Sequence, residues 1–164
     1  MELIDIYDEN KNFLETIPRD DTKKFFNNFI KVVHIYVNID DKYLIQKRAL
    51  TKNIKPGELE ITTGAVTSGE NPLDAARREL QEELSIVEPK ESFVSLGDFR
   101  GEKTFQYVYF LKSFINISNI KLQKEEVDSI YLLSKKDMIS FVENNMRRSQ
   151  SYKQSVINMI KDFA

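Results

Sequence analysis

GAVTSGENPLDAARRELQEELSI, running from Gly64 to Ile86, is the stretch from which the rest of the chain can be read. Asn71 is a favoured N-cap, Pro72 suits the first helical position, and Asp74 complements the positive end of the helix dipole, so a helix starts here. Leu73, Ala76, Leu80 and Leu84 recur at helical spacing and mark its buried stripe. Glu79, Glu82 and Glu83 stand at i, i+3 and i+4 and share a face beside that stripe. Like charges so placed repel by a few tenths of a kcal/mol per pair, and Arg78 relieves part of this through Glu82, its i+4 partner. Spacing alone leaves two readings open. The carboxylates form either a solvated acidic face laced with ion pairs or a set of hard oxygen ligands for a divalent cation.

Outward from this helix the chain alternates strand and helix patterns. Upstream, Phe29 to Ile39 is rich in Val and Ile and reads as a strand; it turns through Asn38 to Lys42 and returns over Tyr43 to Lys47. Earlier still, Leu3, Ile4 and Ile6 and then Phe13 and Leu14 flank the turn-prone Asp8-Glu9-Asn10, the pattern of a short hairpin. Asp21 to Asn28 reads as a helical turn presenting Phe25 and Phe26, and Leu59 to Val66 as a strand interrupted at Gly64. Downstream, Phe93 to Leu96, Thr104 to Phe114 and Val127 to Leu133 are strand patterns. Two helices follow: Lys135 to Met146, with Ser134 as N-cap, and Tyr152 to Phe163, with Val156, Ile157 and Ile160 inward. The expectation is an α/β fold, a mixed β-sheet sandwiched between α-helices, in one domain over residues 1–164.

Composition narrows the chemistry. In 164 residues there are 24 Lys plus Arg against 26 Asp plus Glu, no Cys and one His. Those counts exclude thiol nucleophiles, Cys/His zinc sites, disulfide frameworks and any Ser-His-Asp triad not built on His34. His34 lies within a strand pattern and is expected to be a hydrogen-bonded core residue. A net charge of −2 disfavours non-specific nucleic-acid binding, so no nucleic acid is expected as partner. The acidic start carries the wrong charge for a targeting segment and the apolar runs are too short to span a bilayer, so no membrane partner and a cytoplasmic location are expected.

The helix and its approach also resemble a known motif. Gly64, Glu70, Arg78, Glu79, Leu80, Glu82, Glu83 and Ile86 fall on the places of the Nudix box, Gly-x5-Glu-x7-Arg-Glu-U-x-Glu-Glu-x-Gly-U, where U is aliphatic. One position departs: Ser85 stands where the box has its last Gly. That Gly ends the helix with positive φ, so Ser85 is expected to strain or alter the cap without removing a ligand. LIQKRA from Leu44, KPGELEITTGAV from Lys55 and the opening ELIDIYDENKNFLETIPRD resemble a Nudix branch related to isopentenyl-diphosphate isomerase.

The resemblance implies the Nudix fold and metal-dependent hydrolysis of a nucleoside diphosphate derivative or other small diphosphate, with Mg²⁺ or Mn²⁺ as cofactor. It implies that Glu82 and Glu83 are the principal metal ligands, that Glu79 completes the shell or positions water, and that Arg78 orients them. The general base comes either from the box or from a later loop, where Glu126 and its neighbour Glu125 are the candidates. Lys47, Arg48 and Gly64 are expected at the substrate, with Tyr43, Phe105, Tyr107 and Tyr109 as stacking positions for a base. Isomerase chemistry is disfavoured, because Thr63-Gly64-Ala65 stands where that enzyme carries Cys-Gly-His. A non-catalytic nucleotide-binding regulator is the other alternative. The apolar last helix and the opening hairpin each offer a homodimer contact.

Overall fold

The computed structural model describes residues 1–163. Nine strands are formed: β1 (Leu3–Tyr7), β2 (Phe13–Pro18), β3 (Ile30–Ile39), β4 (Lys42–Arg48), β5 (Leu59–Glu60), β6 (Thr62–Ala65), β7 (Phe93–Arg100), β8 (Thr104–Ser113) and β9 (Val127–Leu133). The α-helices are α1 (Thr22–Asn27), α2 (Pro72–Leu84), α3 (Lys135–Asn145) and α4 (Gln150–Asp162). The larger sheet runs β5-β4-β3-β8-β7, with β6 also paired to β3 and β9 to β4. Among the described residues only β3 and β8 pair in parallel, in register from Ile30↔Thr104 to Ile39↔Ser113. The sheet is mixed, as expected.

Strand β3 is buried continuously from Val33 to Ile39, because helices cover both faces. On one face, Val33, Ile35, Val37 and Leu44 pack with Ala76, Leu80 and Leu84 of α2. On the other, Tyr36, Tyr43, Ile45 and Phe110 pack with Met138 and Val142 of α3 and Val156, Ile157 and Ile160 of α4. The apolar face of α4 is thus consumed within the chain. Residues alternate between the two cores along β3, as strand geometry requires.

The hairpin β1–β2 forms a separate sheet that closes over one end of β3. Ile4, Ile6 and Ile17 join Ile30 and Ala65 in a third cluster, with Phe25 of α1 packed against it, while Phe26 is exposed. The hairpin leaves Leu3, Phe13 and Leu14 facing solvent.

Two strand readings differ from expectation. Strand β7 continues past Leu96 to Arg100, because it pairs with β8 through a register shift between Ser95 and Gly97. The break between Leu59 and Val66 falls at Ile61, not at Gly64, which pairs with Val33 inside β6. The reason is that β5 follows β4 whereas β6 follows β3, so the chain must change partners between them. Strand β3 pairs with β4 only at Asn38 and Ile39 and with β6 from Val32 to Ile35. The cleft between β4 and β6 is where the helix α2 carboxylates arrive.

Candidate active site

Helix α2 begins as its sequence requires: Asn71 accepts the Asp74 amide at 2.9 Å and Pro72 follows the cap. It ends at Ser85 in the left-handed region, φ 56° and ψ 29°, with the Ser85 amide on Gln81 O at 3.0 Å. The expected cap change is therefore present. Its geometry is that of the glycine it replaces, on a residue with a Cβ.

The three helix glutamates do not share one environment. Glu79 and Glu83 are each only 7% exposed, whereas the Glu82 side chain is 50% exposed. Arg78 separates them. Its Nε and Nη2 grip both oxygens of Glu70 at 2.9 and 3.1 Å, Nη1 reaches Glu79 at 2.9 Å and Glu82 at 3.2 Å, and Nη2 also donates to Ala65 O at 3.0 Å. Burial alone would raise the Glu70 carboxyl. The hydrogen bonds from Arg78 and from the Thr67 amide and hydroxyl outweigh it and hold Glu70 below its ordinary value. Arg78 is thereby a fixed clasp between the box loop and the helix.

Glu83 lies deeper in the cleft. Gln46 Nε2 donates to it at 2.9 Å, and Thr62 Oγ1 donates to Gln46 Oε1 at 3.0 Å, which fixes the amide's orientation. Burial, reinforced by the neighbouring charges of Glu79, Glu126 and Glu60, pushes the Glu83 carboxyl up to about 8. Burial likewise raises Glu79 to about 7 against the opposing charge of Arg78. Desolvated carboxylates surrounded by like charge are a deficit of positive charge. That is the state a hard divalent cation with oxygen ligands relieves, so the donor set fits Mg²⁺ or Mn²⁺. Among the described residues no three acids already converge as a metal-ready cluster, since Glu82 is turned to Arg78.

The remaining expected site residues are distributed unevenly. Glu126 borders the cleft, ion-paired with Lys52 at 2.7 Å, while Glu125 is exposed. The Glu126 loop is tied to the end of α2 by Gln123 N to Glu83 O at 2.9 Å and Lys121 N to Leu84 O at 3.2 Å. Arg48 is on the cleft side but is occupied, with Nη1 on Glu60 at 3.0 Å and Nε on Ile54 O at 3.1 Å. Lys47 alternates to the opposite face from Gln46 and lies 3.9 Å from Asp128. Gly64 supports Glu79: a Cβ there would sit 2.2 Å from Glu79 Cδ.

The stacking positions sort by burial. Tyr43 is wholly buried against α3 and α4, Phe105 is stacked on Phe29 at 5.0 Å, and Tyr109 is 8% exposed. Tyr107 alone among the four is half-buried, with Lys11 Nζ 5.8 Å from its ring centre. His34 is a core residue as expected, with Nδ1 2.7 Å from Tyr152 Oη. Sequence reasoning missed Gln46, Thr62, Glu60 and Lys52. The only signal for Gln46 was a polar residue amid the apolar Tyr43-Leu44-Ile45 run.

The NUDIX domain model matches residues 28–152. The chain belongs to the Nudix family. An uncharacterized Nudix hydrolase of Yersinia pestis is 33% identical over 135 residues, 79% of this chain and 71% of that protein. The crystal structure of DR0079 from Deinococcus radiodurans superposes with a TM-score of 0.72 at 21% identity, covering 98% of each chain. The NUDIX domain of Shewanella oneidensis NrtR, solved with ADP ribose, has a TM-score of 0.57 at 15% identity, over 81% of this chain and 86% of that one. At such identities the two structures establish the Nudix fold. As a Nudix hydrolase, the protein acts on a diphosphate linkage.

Proposed function

We propose that the protein is a divalent-metal-dependent pyrophosphohydrolase in which Glu79, Glu82 and Glu83 hold the cation and Glu126 is the general base. The observation that carries this reading is the buried pair of carboxyl groups of Glu79 and Glu83 on a helix whose Arg78 clasp is fully engaged. A bound Mg²⁺ or Mn²⁺ neutralises phosphate charge and favours ionisation of an attacking water. Arg78 fixes the approach of Glu79 and Glu82, Gln46 orients Glu83, and Gly64 leaves room for Glu79 against β6. Glu126 stands across the cleft on a loop anchored to the same helix, and takes the proton from water. The hairpin, which precedes residues 28–152, and the last helix, which runs on beyond them, belong to the same domain, supported by their shared cores with β3.

The ADP ribose held by the Shewanella relative makes a nucleoside diphosphate derivative the first class to test. A panel of nucleoside diphosphates, dinucleoside polyphosphates, ADP-ribose, sugar nucleotides and isopentenyl diphosphate, scored by product with Mg²⁺, tests the reading. Hydrolysis is expected with at least one member, falling on the order of a hundredfold or more in Glu83→Gln. Equal rates in variant and parent would remove Glu83 from the metal site. Isomerised isopentenyl diphosphate would overturn the hydrolase reading, and tight binding without turnover under any metal would favour the regulator.

A further inference from the structure

Two loops border the Glu83 end of the cleft, and a side-chain ion pair joins them. The first runs from Ala49 to Gly57 and is closed at its base, where Arg48 N donates to Glu58 O at 2.9 Å and Gly57 N to Arg48 O at 3.2 Å. Arg48 braces it from within, through Nε on Ile54 O and Nη1 on Glu60. The second loop, ahead of β9, is held to α2 by Gln123 N on Glu83 O, and Glu126 N returns to Gln123 O at 2.9 Å. A backbone bond from Ala49 N to Glu126 O, also 2.9 Å, brings the two loops together.

Lys52 makes the side-chain link. Its Nζ lies 3.0 Å from Oε1 and 2.7 Å from Oε2 of Glu126, 74 positions away in the chain. The two side chains are 28% and 35% exposed, against 48% and 47% for the surface pair Lys24 and Glu15. An open surface pair contributes little, because ordering two long side chains offsets their attraction. Here the backbone of both loops is already fixed by its own hydrogen bonds, so less freedom is lost when the pair forms.

We propose that Lys52 is a positioning residue, whose grip on both oxygens fixes the Glu126 carboxylate in the orientation from which it takes the proton of the attacking water. A general base acts within hydrogen-bond reach of that proton, roughly 2.6–3.2 Å, and a freely rotating carboxylate seldom holds that geometry. The grip does not consume the base. A carboxylate offers about four lone-pair sites, and one ammonium leaves others open to water. Misplacing a reacting group by about 1 Å lowers the rate by up to roughly a hundredfold, so a brace of this kind acts on kcat. The proposal rests on the reading of Glu126 as the general base.

The test is steady-state kinetics with Mg²⁺, on a panel substrate that the parent hydrolyses, for Lys52→Met, Lys52→Arg, Glu126→Gln and the Lys52→Met/Glu126→Gln double variant. Thermal unfolding of each variant supplies the folded fraction. Lys52→Met is expected to lower kcat roughly tenfold with KM within about twofold, and Lys52→Arg to recover most of it. Glu126→Gln should lose on the order of a hundredfold, with little further loss in the double variant, where the brace has nothing left to orient. In the metal-free chain the side-chain carboxyl ¹³C resonance of Glu126 should shift in Lys52→Met and return toward the parent's in Lys52→Arg. An unmoved resonance, an unchanged kcat in Lys52→Met, or losses that add in the double variant would each overturn the proposal. So would a KM that rises while kcat holds, which would place Lys52 on the substrate instead. Glu126→Gln at the parent's rate would remove the base and its brace together. A parent inactive across the whole panel would instead fail the hydrolase reading itself, and the proposal with it.

Discussion

At Ser85 a single residue carries the one departure from the box, and the structure shows what it costs. The residue holds φ 56°, a conformation that glycine adopts freely and that costs a residue with a Cβ about 1 kcal/mol. Its hydroxyl recovers little, reaching Lys121 O at 3.4 Å on the exposed surface. Ser85→Gly is therefore expected to raise the melting temperature by roughly 2–4 °C with hydrolysis unchanged, read by thermal unfolding. A lower melting temperature would mean that the Lys121 contact outweighs the backbone strain. Gly64 teaches the complementary lesson. Its place in the box was legible, but its role was not: the space it leaves is filled by Glu79 from fifteen residues further on.

Among the elements, α4 shows where a local pattern stops: its helix was legible from Tyr152 onward, but the start at Gln150 behind the Ser149 cap was not. The stripe Val156, Ile157 and Ile160 specifies a buried face, but a stripe does not say which strand residues it meets. Folding places Tyr152 Oη 2.7 Å from His34 Nδ1 and 2.9 Å from Tyr36 Oη, a polar seam inside the apolar core between α4 and β3. Burial, with a smaller effect of the Arg148 charge, lowers His34 to about 3, so the ring is neutral there. Tyr152→Phe leaves buried polar atoms without their partner and is expected to cost about 1–3 kcal/mol of stability, measured by denaturant unfolding. The seam lies on the face of the sheet away from α2, so the rate of hydrolysis per folded molecule is expected to hold. A large loss of rate at unchanged stability would contradict that separation.

Across the whole molecule, the carboxylate cleft links stability to pH. Glu79 and Glu83 titrate at about 7 and about 8, above the 4.5 of an ordinary glutamate. The folded chain thus keeps protons that the unfolded chain releases. The stabilising contribution of these groups is full below the ordinary value and is lost as pH rises through 7 and 8. Without metal, the melting temperature is expected to fall by about 5 °C between roughly pH 5.5 and pH 8.5. Added Mg²⁺ should restore more stability at the higher pH, where the ligands are ionised. A melting temperature that rises over this range without metal would contradict the burial of the pair.

Local pattern alone determined the cap of α2, its apolar stripe and the order of strands and helices apart from the split between β5 and β6; the eight box positions were legible only through the family resemblance. The cap, the stripe and the element order depend on neighbours within a few residues, where capping, periodicity and turn chemistry act. Tertiary structure decided that Glu79 and Glu83 are buried while Glu82 is not, that Lys47 faces away, and that Gln46 approaches the site. Those outcomes depend on how β3 divides its edge between β4 and β6 and on where the hairpin docks. Such contacts join residues far apart in the chain, and no local spacing encodes the distance between them.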